Sequence, residues 1–355
     1  MKINNIIKFK QVKKNIRITL YTILSAVALL IGFFIWAVFS EYRPKVVELI
    51  EKNDYTQKVP NEFVISIWNI GYAGMNAEMD FFMDGGRQVR TTKEQTQINI
   101  RHILATLDTL SSDFILLQEV DEWAKRSYYI NEYKQIADFM SGYHLSKAYN
   151  FKTGCVPIPV TNPIGKVRAG LASLSKTTPI TVERHSYPNV TPFPQRLFDL
   201  KRCFMVSEYK THNNKSLYII NTHNSAFDSG DGRKKEMEHL QEVIENLYQQ
   251  GTYVIVGGDW NQLPPDYPTA PTTPQYTPHH IQKDLLPDGW QVIYDKSVES
   301  VRFANEPYIK GRTLTATVDF FLISPNVEAL EIKCHTLEFK YSDHNLVQAR
   351  FRLKY

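Results

Sequence analysis

The stretch Tyr253-Val254-Ile255-Val256-Gly257-Gly258-Asp259-Trp260-Asn261 decides the fold: an apolar run of strand length passes two glycines and ends in a carboxylate and a carboxamide two residues apart. A short apolar run of this kind reads as a buried strand. Its C-terminal edge then presents two oxygen donors where a hard cation and a phosphate can be held. Similar donors recur along the chain. Phe63-Val64-Ile65-Ser66-Ile67 runs into Trp68-Asn69, Phe114-Ile115-Leu116-Leu117 runs into Gln118-Glu119, and Ser342-Asp343-His344 borders the strand-like Leu346–Phe351.

Outward from these segments, strands and helices alternate. Thr91 to Glu94 reads as a capping box, opening a helix with the apolar stripe Ile100, Ile103, Leu104, Leu107 and Leu110. A helix is expected near Ser127–Met140 and another through Met237, Leu240, Ile244 and Leu247. Strands are expected at Gly170–Leu174, Phe204–Tyr209, Leu217–Thr222, Val318–Ile323 and Ile332–Phe339. The late strands lack helices between them, which predicts two packed sheets with helices outside. At 355 residues and 43% hydrophobic, the chain can bury a core of that size.

The N-terminus is of another kind. Ile18 to Phe39 is 22 residues without a charge, about 33 Å as a helix, enough to cross a bilayer's hydrocarbon. Lys8, Lys10, Lys13, Lys14 and Arg17 precede it, and positive charge stays cytoplasmic, so the remainder is expected outside. Ala37-Val38-Phe39 lacks a small-residue cleavage pattern, which favours an uncleaved anchor over a signal peptide. The expected organisation is therefore a basic cytoplasmic segment 1–17, a transmembrane anchor 18–39, a juxtamembrane linker 40–61 and a catalytic domain 62–355. The expected location is the cell membrane, single-pass, with the domain extracytoplasmic.

Charge separates these parts. The whole chain carries +4, but residues 1–45 hold eight Lys or Arg against Glu41, a net of +7, which leaves −3 for the rest. A net-negative domain offers no general excess of cations for a polyanion, which counts against a nuclease. Cys155, Cys203 and Cys334 are widely spaced and form no zinc or redox pair.

The order of motifs carries a resemblance. Trp68-Asn69, Gln118-Glu119, Thr222-His223, Gly258-Asp259-Trp260-Asn261, Val318-Asp319-Phe320-Phe321 and Ser342-Asp343-His344 stand in the order and approximate spacing of the endonuclease/exonuclease/phosphatase superfamily. That superfamily includes DNase I-like nucleases, bacterial neutral sphingomyelinases and inositol polyphosphate 5-phosphatases. The resemblance covers about residues 62–354 and implies a four-layer α/β/β/α sandwich. It further implies that Glu119, assisted by Asn69 and Asp343, holds Mg²⁺, with Mn²⁺ as the other admissible ion. His344 would be the general base, oriented by Asp319; Asp259 and Asn261 would position the water and a phosphate oxygen. His223 would protonate the leaving oxygen or stabilise its charge. Arg168 and Arg202 are further candidates, as phosphate clamps.

Departures narrow the branch. After Asn261 the chain reads Gln262-Leu263-Pro264, without the Tyr-Arg of the 5-phosphatases, and Thr315-Ala316-Thr317-Val318-Asp319 replaces their Trp-Cys-Asp-Arg. Pro264 to Pro278 packs six of the 18 prolines beside Tyr267 and Tyr276, a rim loop that leaves directly from Asn261. The expected function is an anchored phosphodiesterase acting on a lipid headgroup or small molecule. An extracellular DNase I-like endonuclease, with nucleic acid as substrate, is the first alternative and a non-catalytic binding module the second. No protein partner is inferred; the expected partners are the membrane, through the N-terminal helix, and a phosphoester.

Overall fold

The computed structural model describes residues 2–54, 56–226, 231–269, 272–273 and 277–354, with side chains from Phe9 onward. Ala270, Pro271, Pro274, Gln275 and Tyr276 of the expected rim loop, and the terminal Tyr355, lie outside the described residues. In chain order the elements begin with α1 (Lys2–Ser40), β1 (Val47–Lys52), β2 (Lys58–Val59), β3 (Glu62–Asn69), α2 (Lys93–Thr109), β4 (Phe114–Asp121), α3 (Glu132–Phe139) and β5 (His144–Val156). There follow β6 (Gly165–Ser175), β7 (Thr181–Ser186), β8 (Cys203–Thr211), β9 (Ser216–His223), α4 (Asp231–Gln249), β10 (Tyr253–Asp259) and β11 (Gln291–Ile293). The chain closes with β12 (Val301–Arg302), β13 (Thr315–Ala316), β14 (Asp319–Ile323), β15 (Val327–His335) and β16 (Leu346–Leu353).

Two mixed sheets result. One has the order β15-β16-β3-β4-β6-β5, the other β1-β7-β8-β9-β10-β14-β11. Phe63, Phe114, Ile255, Phe321, Val347 and Phe351 meet in the apolar layer between them. Ile100, Ile103 and Leu107 of α2 and Ile136 of α3 cover the outside of the first sheet. Met237, Leu240 and Ile244 of α4 cover the outside of the second. This is the four-layer α/β/β/α sandwich expected from the sequence. Each fully buried Phe in the middle layer contributes roughly 1.5–3 kcal/mol through removal of apolar surface from water.

Local differences from the sequence reading have physical causes. The N-cap of α2 is Thr92, not Thr91: its hydroxyl accepts from the Gln95 N–H at 3.1 Å. The Gln95 side chain turns away to Asn99 at 2.8 Å, so the reciprocal half of the capping box is absent. Helix α3 starts at Glu132 rather than near Ser127, because Tyr128 and Tyr129 take positive φ of 56° and 60° and Asn131 caps through the Lys134 N–H at 2.9 Å. Residues 40–61, expected as a linker, instead supply an edge strand: β1 pairs antiparallel with β7, Val47 opposite His185.

Helix α1 is long and apolar enough to cross a membrane. Its last turns rest on the domain. Phe33 stacks on Phe198 with ring centroids 5.7 Å apart, and Ala37 is buried. Trp36 covers Gly154 so closely that a Cβ there would lie 2.6 Å from the indole. Beyond the helix, Glu41 accepts from Lys201 Nζ at 3.2 Å.

Candidate active site

Register gathers the sequence motifs at one edge of the two sheets. Asp259 ends β10, opposite His223 at the end of parallel β9 and opposite Asp319 at the start of antiparallel β14. Asn69 ends β3, opposite Gln118 of parallel β4. Glu119 escapes that ladder. The register of β4 shifts between Leu117 and Val120, and Glu119 takes φ 55°, so a bulge turns its carboxylate into the cavity.

Backbone and tryptophan anchors hold these ends in place. Gly258 has φ 151°, and a Cβ there would lie 2.1 Å from the Thr222 carbonyl oxygen, so only glycine lets β10 approach β9 this closely. Trp260 lies flat on Phe320, centroids 4.9 Å apart, and donates its indole N–H to the Phe320 carbonyl at 2.9 Å. The Trp68 indole donates to the His344 carbonyl at 2.9 Å, and Ser342 Oγ donates to the Asn69 carbonyl at 2.7 Å. These two bonds fix the Ser342–His344 loop against the end of β3.

The polar side chains then converge. Asn69 Nδ2 donates to Asp259 Oδ2 at 2.9 Å and lies 3.5 Å from Glu119 Oε1. His223 Nε2 stands 3.4 Å from Asp259 Oδ2 and 3.8 Å from Glu119 Oε1. Asn261 donates its backbone N–H to Asp259 Oδ1 at 2.9 Å and its amide to the Asn224 carbonyl at 2.9 Å. His344 Nδ1 bonds Asp319 Oδ2 at 2.7 Å, while Nε2 faces Asp259 Oδ2 at 3.8 Å. The Ser300 hydroxyl donates to the same Asp319 oxygen at 2.7 Å. Asn69, Glu119, His223, Asp259, Asn261, Asp343 and His344 all line one cavity of about 560 Å³.

The two histidines differ electrically. Burial lowers the His344 pKa, but Asp319, Asp259 and Asp343 outweigh it and raise the group to about 10. Burial, together with Arg202, His344 and Arg126, holds His223 well below its ordinary value, so it is a neutral imidazole. Burial also raises Asp259 to about 7, opposed by His344 and reinforced by Asp319. Asp84 reaches about 7 by burial and by repulsion from Asp343 and Glu119.

This crowding of carboxylates fits a divalent cation. Glu119 and Asp343 offer carboxylate oxygens at the cavity surface, the donor type that suits Mg²⁺ or Mn²⁺, while Asn69 turns its Nδ2 toward Glu119 and accepts from the Gly71 N–H through Oδ1 at 3.0 Å. Positive charge there would offset the mutual repulsion and bring His344 back toward a proton-free state. A second cluster, Asp259, Asp319 and His344, has ligand atoms within 4.8 Å of one another. In that cluster His344 Nδ1 and the Ser300 hydroxyl already engage Asp319 Oδ2, while Asp319 Oδ1 is buried without a partner among the described residues.

Of the two candidate arginines one lines the cavity. Arg202 lines the cavity, and its buried Nη1 has no partner among the described residues. Arg168 does not line it: it stands on β6, between β4 and β5, and pairs with Glu122 at 3.2 Å. Arg126, which the sequence reading missed, takes a place there. Its guanidinium lies 3.8 Å above the Tyr72 ring, pairs with Asp121 at 2.9 Å and stands 4.0 Å from Glu119. No motif marks it; the irregular loop after β4 brings it in.

Comparison with known proteins agrees with this architecture. The profile of the Endonuclease/Exonuclease/phosphatase family matches residues 68–344, from the residue before Asn69 to His344. Among solved structures, an endonuclease/exonuclease/phosphatase from Beutenbergia cavernae DSM 12333 is similar at TM-score 0.59 and 16% identity, over 82% of this chain and 72% of that one. ANGEL2, a 2′,3′-cyclic phosphatase, is similar at TM-score 0.55 and 16% identity, over 83% and 96%. A truncated Caenorhabditis elegans TDP2 follows at TM-score 0.51 and 14% identity, over 82% and 98%. These likenesses show the fold. No curated protein matches the chain.

Proposed function

The chain belongs to the endonuclease/exonuclease/phosphatase family, whose members hydrolyse phosphoester bonds, and from that premise we propose a membrane-anchored, Mg²⁺-dependent phosphodiesterase. Its site would lie outside the cytoplasm and act on the phosphodiester of a lipid headgroup or small molecule. The observation that carries the reading is the His344–Asp319 pair, with Nε2 turned into the cavity that Glu119, Asn69 and Asp343 also line.

In this reading His344 Nε2 takes a proton from the attacking water, and Asp319 fixes the tautomer and stabilises the imidazolium. Asp259 and Asn261 hold the water and a non-bridging oxygen. His223, neutral, donates from Nε2 to the charge that grows on the leaving oxygen rather than acting as an imidazolium acid. Arg202 donates to a phosphate oxygen through its unpartnered Nη1. Glu119, Asn69 and Asp343 would hold a divalent ion, which would supply Lewis-acid polarisation of the phosphoryl group.

A nuclease remains the second reading, favoured by Arg126 and Arg202 standing together in the cavity wall with His223. The full-length protein should be assayed with bis-p-nitrophenyl phosphate, phospholipid vesicles and plasmid DNA, each with Mg²⁺ and with chelator. Turnover of a soluble or lipid phosphodiester that chelator abolishes is expected. Plasmid nicking without either would select the nuclease, and inactivity on all three would overturn the phosphoesterase reading.

A further inference from the structure

The cavity that holds the polar site continues into an apolar groove, and one wall of that groove is α1. Phe34 lines it together with Val156, Ile158, Ile164, Phe198 and Leu200. A helix long and apolar enough to cross a membrane thus ends as part of the active-site cleft.

Length fixes where that cleft lies. The 22 uncharged residues Ile18–Phe39 span about 33 Å as a helix, barely more than the ~30 Å of bilayer hydrocarbon. Their last part, Phe33 to Phe39, about 10 Å of axis, is the part packed on Phe198 and Gly154. The segment cannot span the hydrocarbon and also hold the domain clear of it. On the topology proposed above, the groove mouth then lies at the depth of the outer leaflet.

The loops around that mouth are built for such a place. On the two loops that supply Ile158, Ile164, Thr191 and Phe198 to the cavity, Val160 is 87% exposed, Phe193 59%, Ile158 45% and Val190 44%, apolar side chains that water alone would not favour. Just beyond the helix stand Arg43, Arg196 and Lys201 around the single Glu41, with Tyr42 beside them. Cations and an aromatic ring there match the level of lipid phosphates.

We infer that the substrate is a phosphodiester lipid of the same bilayer, its acyl chain lying in the groove between Phe34 and the Ile158 and Phe198 loops and its phosphate reaching Glu119 and His344 without leaving the leaflet. The inference rests on the phosphodiesterase reading above and adds the tail site and the lateral route. The reaction is simple hydrolysis: water oxygen bonds to phosphorus, one P–O ester bond breaks, and the leaving alkoxide takes up a proton.

The test uses the full chain in vesicles of phosphatidylcholine, phosphatidylethanolamine and phosphatidylglycerol, with lipid turnover read by mass spectrometry and bis-p-nitrophenyl phosphate as the soluble control. The double variant Val160→Asp, Phe193→Asp should lower lipid turnover on the order of tenfold or more, since inserting each charge costs at least a kcal/mol-scale penalty. Its turnover of the soluble ester should stay as in the wild type, and Val160→Leu, Phe193→Leu should keep both. Unchanged lipid turnover in the Asp variant overturns the inference. So does a wild type that cleaves the soluble ester and no vesicle lipid, a result that leaves the phosphodiesterase reading standing; inactivity on both removes that reading and the inference with it.

Depth gives a readout independent of activity, and it decides if the Asp variant loses both activities. A nitroxide on Val160→Cys, in a Cys155→Ser background, should be reached by oxygen and shielded from a water-soluble nickel chelate once in the bilayer. Full access by the chelate overturns the inference. A solubilised dimer that the double Asp variant splits would assign the rim to a second copy and likewise overturn it.

Discussion

Glu119 is the residue on which the metal assignment turns, because a bulge and a left-handed φ of 55° aim its carboxylate at the cavity. Glu119→Gln keeps the shape and removes the charge. It should abolish most Mg²⁺-dependent turnover, measured by titrating the ion against rate; near-wild-type rates would place the cation elsewhere. His344 and Asp319 share one short bond, so they should act as a unit. Each Ala variant is expected to lose about 10²–10⁴-fold in turnover, and the double variant to be scarcely worse than His344→Ala alone. Fully multiplicative losses would assign Asp319 another task. These residues were legible in the sequence because each stands beside an apolar strand, and strand ends in one sheet meet at one edge. Arg126 and Asp84 were not, since irregular loops bring them in and leave no periodic mark. Arg168 misled for the opposite reason: its place on a strand was readable, but its pairing with Glu122 was not.

At the scale of elements the two sheets and their helical cover follow from apolar periodicity, while their boundaries depend on single side-chain bonds. Thr92 rather than Thr91 accepts the Gln95 N–H, a choice between neighbouring threonines that spacing alone does not make. Thr92→Ala should therefore cost about 1 kcal/mol in denaturant unfolding, and Thr91→Ala, whose hydroxyl caps nothing, should stay within about 0.5 kcal/mol. Gly258 is the opposite case, a position where any side chain strikes backbone. Gly258→Ala should destabilise by on the order of 2 kcal/mol or more, with a lower melting temperature as the readout. Strand β1 escaped the sequence reading because Val47-Glu48-Leu49-Ile50-Glu51-Lys52 mixes charge with apolar residues, as an edge strand does. Its register with β7 makes residues 47–52 part of the domain's sheet.

For the whole molecule the proposed topology has a direct check. Protease added to intact cells or spheroplasts should digest the domain, and the fragment that keeps Ile18–Phe39 should stay with the membranes. A soluble protein beginning near Glu41 would show that the segment had been removed instead. The contacts of Phe33 with Phe198, Trp36 with Gly154 and Glu41 with Lys201 leave no slack between helix and domain. On that topology the domain is mounted like a plate on a post, and it cannot swing toward an opposing membrane or into the bulk. Encounters then become two-dimensional, and substrate abundance is counted per unit of surface rather than per unit of volume. Spreading the same amount of lipid substrate over a larger area of inert bilayer should slow each enzyme molecule, although the concentration in the tube has not changed.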